Sequence, residues 1–575
     1  MYPIYPKLAL ALAIVSLTGC FDGSGSSSNI SQETTSGQQT PPEQAESIDE
    51  AAQSRYYVLP YIQNPEPTAM TVTWFSDSDK PGKLSIDGIG EYSSDPELAE
   101  ALTYGASEVE YIHGEKNYSE IHSYVDAGEA PAPSYKHSIR VTQLTPSTDY
   151  QYSVEQPGAN TFTSAFKTAP MTGSREAVRF ITMSDMETEP ESTQKTVRWT
   201  ANALAIGGEK LGTDPETYTR QYPVDQTDGY KANLEYAEGR SPDFWVIAGD
   251  LVEKGGRQLD WDEFWRHSAG EWGTLASTTP IFPTLGNHEN YWHPEAPGYN
   301  AQASMLSYDK WNTYWDLPSN YATDERYEKR YYRADYGPVT LITLDSSNGN
   351  DDDPSQDTNL MINGTESRVP DFNPGSEQWN WAVRELADAQ AQGQIIFVQF
   401  HHTAFGTGVH SLPSGSAGIA SGEDNQSGVP MRVYKDLFER YGVTAVLSGH
   451  DELLEYVRIN GVHYWDVGFA GDGLRGPGYP PTTTYVPFDQ LPAEAQETHW
   501  SAHGDVAEMW NGSQLIDGGK HYGFLEVDVR PTGDYGYEVI MTPRYVFPVT
   551  DENGNPTGDF DQRQYNKVVR VLVDR

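Results

Sequence analysis

The sequence predicts two ordered parts, an all-β sandwich followed by a larger α/β domain. The sandwich is predicted by short alternating segments between about 56 and 168, such as AMTVTWFS and DYQYSVEQ, which Pro, Gly, Asn and Asp separate. The α/β domain is predicted by five apolar runs after Pro170, each ending in Asp, Asn or His, with helical patterns between them. A length of 575 residues accommodates both parts.

Charge and composition exclude two classes of protein. The chain has 38 Lys and Arg against 83 Asp and Glu, a formal net charge of −45. Such a surface repels nucleic acid, so we expect no nucleic-acid partner. The 37 Tyr and 14 Trp are too many for a disordered polyelectrolyte.

Residues 1–20 are typical of a secretory signal. Lys7 precedes an apolar run from Leu8 to Leu17, and the segment LTGC ends at Cys20, the one cysteine of the chain. This ending resembles the bacterial lipobox, where the chain is cut before the Cys and the Cys is acylated. We therefore expect a secreted bacterial lipoprotein anchored by its lipid to a membrane of the cell envelope, periplasmic or surface-facing. The alternative is a plain signal peptide with a chance cysteine.

The remaining boundaries follow from changes in composition. Residues 21–55 are rich in Ser, Gly, Gln and Thr, which predicts a flexible tether. The sandwich is expected over 56–170 and the second domain over 171–575, with an insertion at 187–226. In the second domain Ser376 is the predicted N-cap of a helix that ends at Gly393.

An ordered set of short motifs follows the five apolar runs. It reads D…GD…GNHE…H…GH, the metallophosphoesterase signature, and its polar members are Asp185, Asp250, Asn287, His288, His401 and His450. One such piece is weak evidence, whereas five in order, each after an apolar run, are strong. Two divalent ions about 4 Å apart can clamp a phosphate and generate a metal-bound hydroxide, and they need carboxylate, imidazole and amide ligands of these kinds.

Longer stretches resemble the purple acid phosphatases. PYIQNP followed by AMTVTW looks like the start of their fibronectin-III-like domain, and RYYRADYGPVTLITLDSS at 330–347 looks like a strand pair of their catalytic domain. The resemblance covers about 56–475. It implies a fibronectin-III-like sandwich plus a metallophosphoesterase domain with a β-sandwich core flanked by helices.

The resemblance also assigns roles to individual residues. Asp250 matches the carboxylate that bridges both ions, and the other ligands of the second ion match Asn287, His401 and His450. His288 matches the histidine that contacts substrate phosphate or protonates the leaving alkoxide, a role suited to its ordinary pKa near neutrality.

Two further histidines have open assignments. If His401 is the metal ligand, His402 either supports a ligand through a hydrogen bond or faces the substrate, and the swapped assignment stays open. His410 lies where plant members carry a histidine that faces the substrate, and a solvated loop histidine is the alternative.

The residues expected to hold the first ion, here called the first-metal half of the site, depart from the family pattern. Asp185 matches its terminal carboxylate, but Glu253 stands where the family has tyrosine and Glu452 where it has histidine. Related enzymes without the tyrosine use DxH, and here Glu187 replaces that histidine. The site is either re-engineered with oxygen ligands or decayed. We favour a real site, in which carboxylates suit Mn²⁺, Mg²⁺ or Ca²⁺ better than Zn²⁺, and the two divalent ions stay open among Mn, Mg, Ca, Fe and Zn.

The expected function is hydrolysis of small-molecule phosphate esters by a metal-bound hydroxide at a two-metal centre, with phosphomonoesters favoured. The alternatives are a phosphodiesterase and a non-catalytic protein that binds a phosphate ligand at a degenerate first metal site. Turnover of a generic aryl phosphate separates the two classes.

Overall fold

The computed structural model of the protein describes residues 56–109, 134–190, 196–200, 219–348, 358–359, 362, 367–411, 426–471, 473–474, 491–502, 509–511, 514–518, 521–534 and 536–574. For 196–200 and 219–225 it describes the backbone alone. The predicted signal peptide with Cys20 and the predicted tether lie outside these residues. Within them, no helix has both the length and the apolar character needed to cross a membrane.

The first ordered part is a β-sandwich, as the alternating segments predict. Its strands are β1 Tyr56–Glu66, β2 Ala69–Ser76, β3 Lys83–Ile86, β4 Gly90–Ser93, β5 Glu97–Leu98, β6 Tyr135–Thr142, β7 Asp149–Glu155 and β8 Phe162–Lys167. One sheet contains β1-β2-β6-β5 and the other β4-β3-β7-β8. Residues that alternate inward, such as Val72, Trp74, Tyr152 and Val154, form a buried core shared by both sheets.

The second part contains twenty strands and seven α-helices among the described residues. The strands are β9 Val178–Met183, β10 Thr196–Thr200, β11 Thr219–Asp225, β12 Phe244–Ile247, β13 Ile281–Pro283, β14 Tyr291–His293, β15 Ala296–Tyr299, β16 Tyr332–Tyr336, β17 Val339–Thr343, β18 Ile395–His402, β19 Ala445–Gly449, β20 Leu454–Ile459, β21 Val462–Val467, β22 Trp500–Ser501, β23 Met509–Asn511, β24 Gln514–Asp517, β25 Tyr522–Thr532, β26 Gly536–Thr550, β27 Pro556–Gln564 and β28 Val569–Asp574. The helices are α1 Gln226–Gly239, α2 Gln258–Ser268, α3 Leu275–Thr278, α4 Ala301–Tyr314, α5 Glu377–Ala391, α6 Lys435–Tyr441 and α7 Ala493–Thr498.

Two large sheets pack against each other in this part. One has the order β27-β26-β25-β9-β12-β13 and continues into the first domain, and the other has the order β16-β17-β18-β19-β21-β20-β22. Phe180 of β9 meets Phe397 of β18 with 5.0 Å between ring centroids, and Gln399 of β18 donates to the carbonyl of Phe282. The predicted sandwich core with flanking helices is thereby confirmed.

The helix α5 shows how local sequence sets one of these elements. Ser376 Oγ accepts the backbone N–H of Trp379 at 3.1 Å, which satisfies a donor of the first turn. On the predicted apolar face, Ala382 and Leu386 are buried, and Trp379 and Val383 are partly buried against the same core. Gly393, just beyond the helix, has a φ of +68°, a conformation that favours glycine.

The two domains share one sheet, which the sequence does not predict. Strand β1 runs parallel to β13, with Gln63 opposite Ile281. The Gln63 side chain donates to Thr73 Oγ1 at 2.9 Å and accepts the backbone N–H of Asp316 at 2.8 Å. Tyr61 donates its hydroxyl to the carbonyl of Tyr314 at 2.5 Å. Strand β1 of the first domain is therefore part of a sheet of the second domain, and buried polar contacts hold the two domains together.

Within the expected insertion at 187–226 the structure describes one element pair. Strands β10 and β11 form a separate antiparallel two-stranded sheet. Thr188, at the start of the insertion, forms a bridge to Val252.

Candidate metal centre

The motif residues meet at one edge of the two packed sheets. Asp185 lies two residues after β9, Asp250 three after β12 and Asn287 four after β13 in the first sheet. In the second sheet His401 and His402 end β18, and His450 follows β19. Strands β9, β12 and β13 are parallel to one another, as are β18 and β19, so their carboxyl ends bring these side chains together.

The motif glycines are required by close packing around these ligands. A Cβ on Gly286 would collide with Oδ1 of Asp250, and one on Gly449 with the side chains of Ser184 and Asp185. A Cβ on Gly249 would lie 2.6 Å from Nδ1 of His401. Glycine at these positions therefore lets the loops approach closely enough to place the ligands.

Several of the site residues have a strained backbone. Non-glycine residues with positive φ at the site are Asp185 at 59°, Glu187 at 43°, Asp250 at 53°, His450 at 81° and Glu452 at 51°. This conformation costs on the order of 1–3 kcal/mol per residue and persists where surrounding structure enforces it. Its concentration at this sheet edge indicates a preorganised functional site.

The predicted site of the second ion is a close group of acceptor atoms on Asp250, Asn287, His401 and His450, here called the cradle. His401 donates from Nδ1 to the carbonyl of Ala248 at 2.9 Å, so Nε2 of the neutral ring is an acceptor. That Nε2 lies 2.8 Å from Oδ2 of Asp250 and 2.8 Å from Oδ1 of Asn287. His450 Nε2 is buried nearby with no hydrogen-bond partner among the described residues. Acceptors placed this way repel one another unless a proton or a cation lies between them, so the residues fit a metal ion.

The pKa values of His401 and Asp250 also fit a metal ion at this site. Burial opposes the charged form of His401, but the adjacent Asp250 outweighs burial and raises the pKa of His401 to about 9. Burial would raise the pKa of Asp250, yet His401 and His288 bring it down to about 2. Without a metal, a proton on His401 would balance Asp250, and a bound cation would replace that proton. Asp250, His401 and His450 each offer a ligand atom within 4.8 Å of the others.

The carboxylates of the first-metal half do not all converge. A second group with ligand atoms within 4.8 Å of one another contains Glu187, Asp250 and His288. Asp185 is fully buried, both its oxygens accept the backbone N–H of His450, at 3.0 and 3.1 Å, and burial raises its pKa to about 6. Asp185, Glu253 and Glu452 belong to neither group.

Glu253 instead supports His288. Its backbone oxygen accepts Nδ1–H of His288 at 2.6 Å, and its Oε2 lies 3.7 Å from the same nitrogen. Nε2 of His288 lies 3.7 Å from Oε1 of Glu187. Burial opposes the charge on His288, but Asp250 and Glu253 raise its pKa to about 9. The structure thus places the histidine expected on the substrate side within the cluster that Glu187 and Asp250 form.

His402 and His410 complete a group of histidine rings around His450. The ring centroid of His450 lies 4.5 Å from that of His402 and 4.1 Å from that of His410. Burial and the charge of His401 hold the pKa of His402 well below its usual value. His410 is half-buried in the short 3-10 helix Val409–Ser411, and its backbone N–H donates to Asp451 at 2.8 Å. Both histidines therefore lie at the site.

Sequence reasoning missed several residues that hold the site in place. Glu289, the last letter of GNHE, accepts the backbone N–H groups of Asp250, Leu251 and Gly286 at 3.0, 2.7 and 2.7 Å. Its position in the GNHE motif is a sequence signal that could have identified Glu289 as a residue of the site. Tyr299 accepts from Asn287 Nδ2 at 2.9 Å, which points Oδ1 of that amide into the cradle. No motif marks Tyr299, since strands β14 and β15 bring it back to the site.

Comparison with known proteins agrees with this arrangement. Residues 213–451 match the family model of calcineurin-like phosphoesterases, a range that contains Asp250, Asn287, His401 and His450 but not Asp185. Residues 58–168 match the model of the purple acid phosphatase N-terminal domain.

Individual relatives are distant. Uncharacterised proteins from two Mycobacterium tuberculosis strains are 24% identical over 393 residues, which cover 67% of this chain and 60% of theirs. A probable inactive purple acid phosphatase 27 of Arabidopsis thaliana is 23% identical over 55% of this chain and 43% of its own. The solved structure of PhoD superposes with a TM-score of 0.50 and 12% identity, covering 90% of each chain, which shows a shared fold.

The match thus spans about 60% of the length of the Mycobacterium tuberculosis relatives. The family match and the two groups of ligand side chains together make this sheet edge a candidate metal centre of the phosphoesterase type. The chain thus combines a part similar to the purple acid phosphatase N-terminal domain with a part similar to the calcineurin-like phosphoesterases.

Proposed function

We propose that this protein hydrolyses phosphate esters, with small phosphomonoesters favoured and phosphodiesters next, at a two-metal centre. The observation that carries the proposal is the convergence of His401 Nε2 with Asp250 Oδ2 and Asn287 Oδ1, each at 2.8 Å. One ion would be held there together with His450, and the other by Asp185, Glu187 and Asp250. When bound, such ions neutralise phosphate charge and lower the pKa of an attacking water.

The side chains of this chain would position the substrate and move its proton. His288 is held by the carbonyl of Glu253 through Nδ1–H, so Nε2 is the nitrogen that acts on the substrate. In the metal-free site Asp250 and Glu253 raise the pKa of His288 to about 9, and a proton on Nε2 is what a general acid for the leaving oxygen needs. His410, fixed by Asp451 and by the carbonyl of Gln426 at 2.8 Å, would contact the phosphate from the other side.

The carboxylate-rich first half supports a choice of metal. Glu187 and Asp185 are oxygen ligands, which hard ions such as Mn²⁺, Mg²⁺ and Ca²⁺ prefer over Zn²⁺. Glu253 stands where the family has its iron-binding tyrosine, so no tyrosinate is expected on iron and the enzyme should be colourless. Extra ligand charge also makes a bound water less acidic, which favours a neutral or alkaline optimum.

A non-catalytic role is the second candidate. It is favoured by the position of Glu253 and Glu452 outside both ligand clusters, which leaves the first site with fewer convergent ligands. The similarity to a probable inactive purple acid phosphatase points the same way. In that case the second-metal cradle would bind one ion and a phosphate ligand without turnover.

We also propose that the protein acts at the cell envelope as a lipoprotein anchored through Cys20. The motif LTGC and the Ser- and Gly-rich stretch after it support this location. Multiple acyl chains on one residue give stable membrane attachment, which a single chain does not.

The decisive experiment combines metal content with a substrate panel. Protein stripped with a chelator is reloaded with each ion and assayed from pH 5 to 10 against an aryl phosphomonoester, a diester and a triester, and its visible spectrum is recorded. We expect colourless protein with two ions per chain and the highest turnover on the monoester. Bound metal without turnover on any ester would favour the binding role. A purple protein most active in acid would contradict the proposed ligand set.

A further inference from the structure

Three histidines of the site are held in one orientation by backbone carbonyls. A carbonyl oxygen only accepts hydrogen bonds, so a ring nitrogen beside it must carry a proton, and the other nitrogen of the neutral ring is then an acceptor. In each of these three histidines Nδ1 lies 2.6 to 2.9 Å from a backbone carbonyl oxygen. The oxygen belongs to Glu253 for His288, to Ala248 for His401 and to Gln426 for His410.

His402 has a different partner. Its Nδ1 lies 2.8 Å from Oγ of Ser346, a hydroxyl that can donate. The same Oγ already accepts the backbone N–H of His402 at 3.2 Å. Among the described residues, the hydroxyl proton has His402 Nδ1 as its acceptor. Nδ1 then accepts, and the proton of the neutral ring resides on Nε2.

That proton lies in the middle of the site without a partner. The His402 side chain is fully buried, and its Nε2 has no hydrogen-bond partner in the described part of the chain. Its ring centroid lies 5.2 Å from that of His401 and 4.5 Å from that of His450. A buried donor left unpaired is destabilising, and an acceptor on a bound ligand would offset that cost. A nitrogen that carries a proton cannot bind a metal ion, but it can donate to an oxygen of a bound ligand.

We propose that His402 is a catalytic residue that donates Nε2–H to a non-bridging oxygen of the bound phosphoryl group, with Ser346 setting its tautomer. The inference rests on the proposed function. Adjacent histidines then have opposite tasks, because His401 offers a lone pair to a cation and His402 offers a proton to an oxyanion. A fixed neutral donor of this kind stabilises negative charge on the phosphoryl oxygens in the transition state without having to reorient.

The test compares two replacements of similar size in the metal-loaded full-length protein. His402→Gln retains an N–H donor near Nε2, whereas His402→Leu removes it. We expect metal content to stay at two ions per chain in both. The leucine variant should lose roughly 100-fold in kcat, and its affinity for inorganic phosphate, measured by calorimetry, should fall clearly. The glutamine variant should recover most of both losses.

Other results would overturn the assignment. Loss of a bound ion in both variants would make His402 a ligand, and unchanged phosphate affinity in the leucine variant would make it structural. If the wild-type protein shows no turnover but its phosphate affinity still depends on His402, the proposed function and the catalytic role are refuted, and only the hydrogen bond from His402 to phosphate remains. If the leucine variant does not fold, ¹⁵N spectra of the Mg²⁺-loaded wild type, assigned by the signal missing in His402→Gln, report the tautomer directly. A proton on Nε2 is expected, and one on Nδ1 would overturn the proposal.

Discussion

Replacing Glu289 should destabilise the protein more than its lack of a direct catalytic role suggests. Its carboxylate accepts three backbone N–H groups, from Asp250, Leu251 and Gly286, and the side chain is fully buried. An unsatisfied buried donor costs about 1–3 kcal/mol, so Glu289→Ala should lower the free energy of unfolding by about 3 kcal/mol or more. Urea unfolding of chelator-treated protein measures this change without any contribution from metal loss.

Two variants make the Glu289 measurement specific. Glu289→Gln keeps one strong acceptor and should lose less than the alanine variant. Glu295 lies six residues away with an exposed side chain, so Glu295→Ala should change stability by less than about 0.5 kcal/mol. If Glu289→Ala unfolds within 1 kcal/mol of Glu295→Ala, then these three hydrogen bonds do not hold the Asp250 loop.

Three further outcomes are expected. Cys20→Ser should release the protein from the membrane fraction, and a variant that still partitions into detergent would contradict lipidation. Burial lowers the pKa of His137 to about 4, so the stability that its neutral ring contributes is present above pH 6.5 and is lost as pH falls towards 4. Allowing for screening, His137→Gln should reduce this acid-induced loss of unfolding free energy by roughly 2 kcal/mol. Parallel curves of melting temperature against pH for the two proteins would refute this. Tyr299→Phe frees the amide of Asn287, so affinity for one ion should drop about 10-fold, with activity restored by excess metal.

The sequence predicts the fold because its signals are local. Alternating segments mark the strands of the first domain, and Ser376 caps α5 through the backbone N–H of Trp379 as expected. The apolar runs before Asp250 and His450 become strands that are parallel to their neighbours, so in each sheet the carboxyl ends lie at one edge, and the packing of the two sheets brings both edges together. Order along the chain was therefore sufficient to locate the site.

What the sequence does not predict depends on contacts between distant segments. The pairing of β1 with β13 is specified by Gln63 and its partners around Asp316, more than 250 positions away, and no local pattern encodes it. The tautomer of His402 likewise depends on Ser346, 56 positions earlier. Glu253, expected as a ligand because it stands where the family has tyrosine, lies outside both ligand clusters in the structure, beside His288.

The most direct test of the account is a titration of metal into chelator-stripped protein, with turnover of an aryl phosphomonoester measured at each step. For a two-metal phosphoesterase we expect no activity without metal and a plateau of activity at two ions per chain. Asp250→Asn, which weakens the one carboxylate shared by both ligand clusters, should show little turnover at any metal concentration. Full activity after stripping, or two bound ions with no turnover, would contradict a two-metal phosphoesterase.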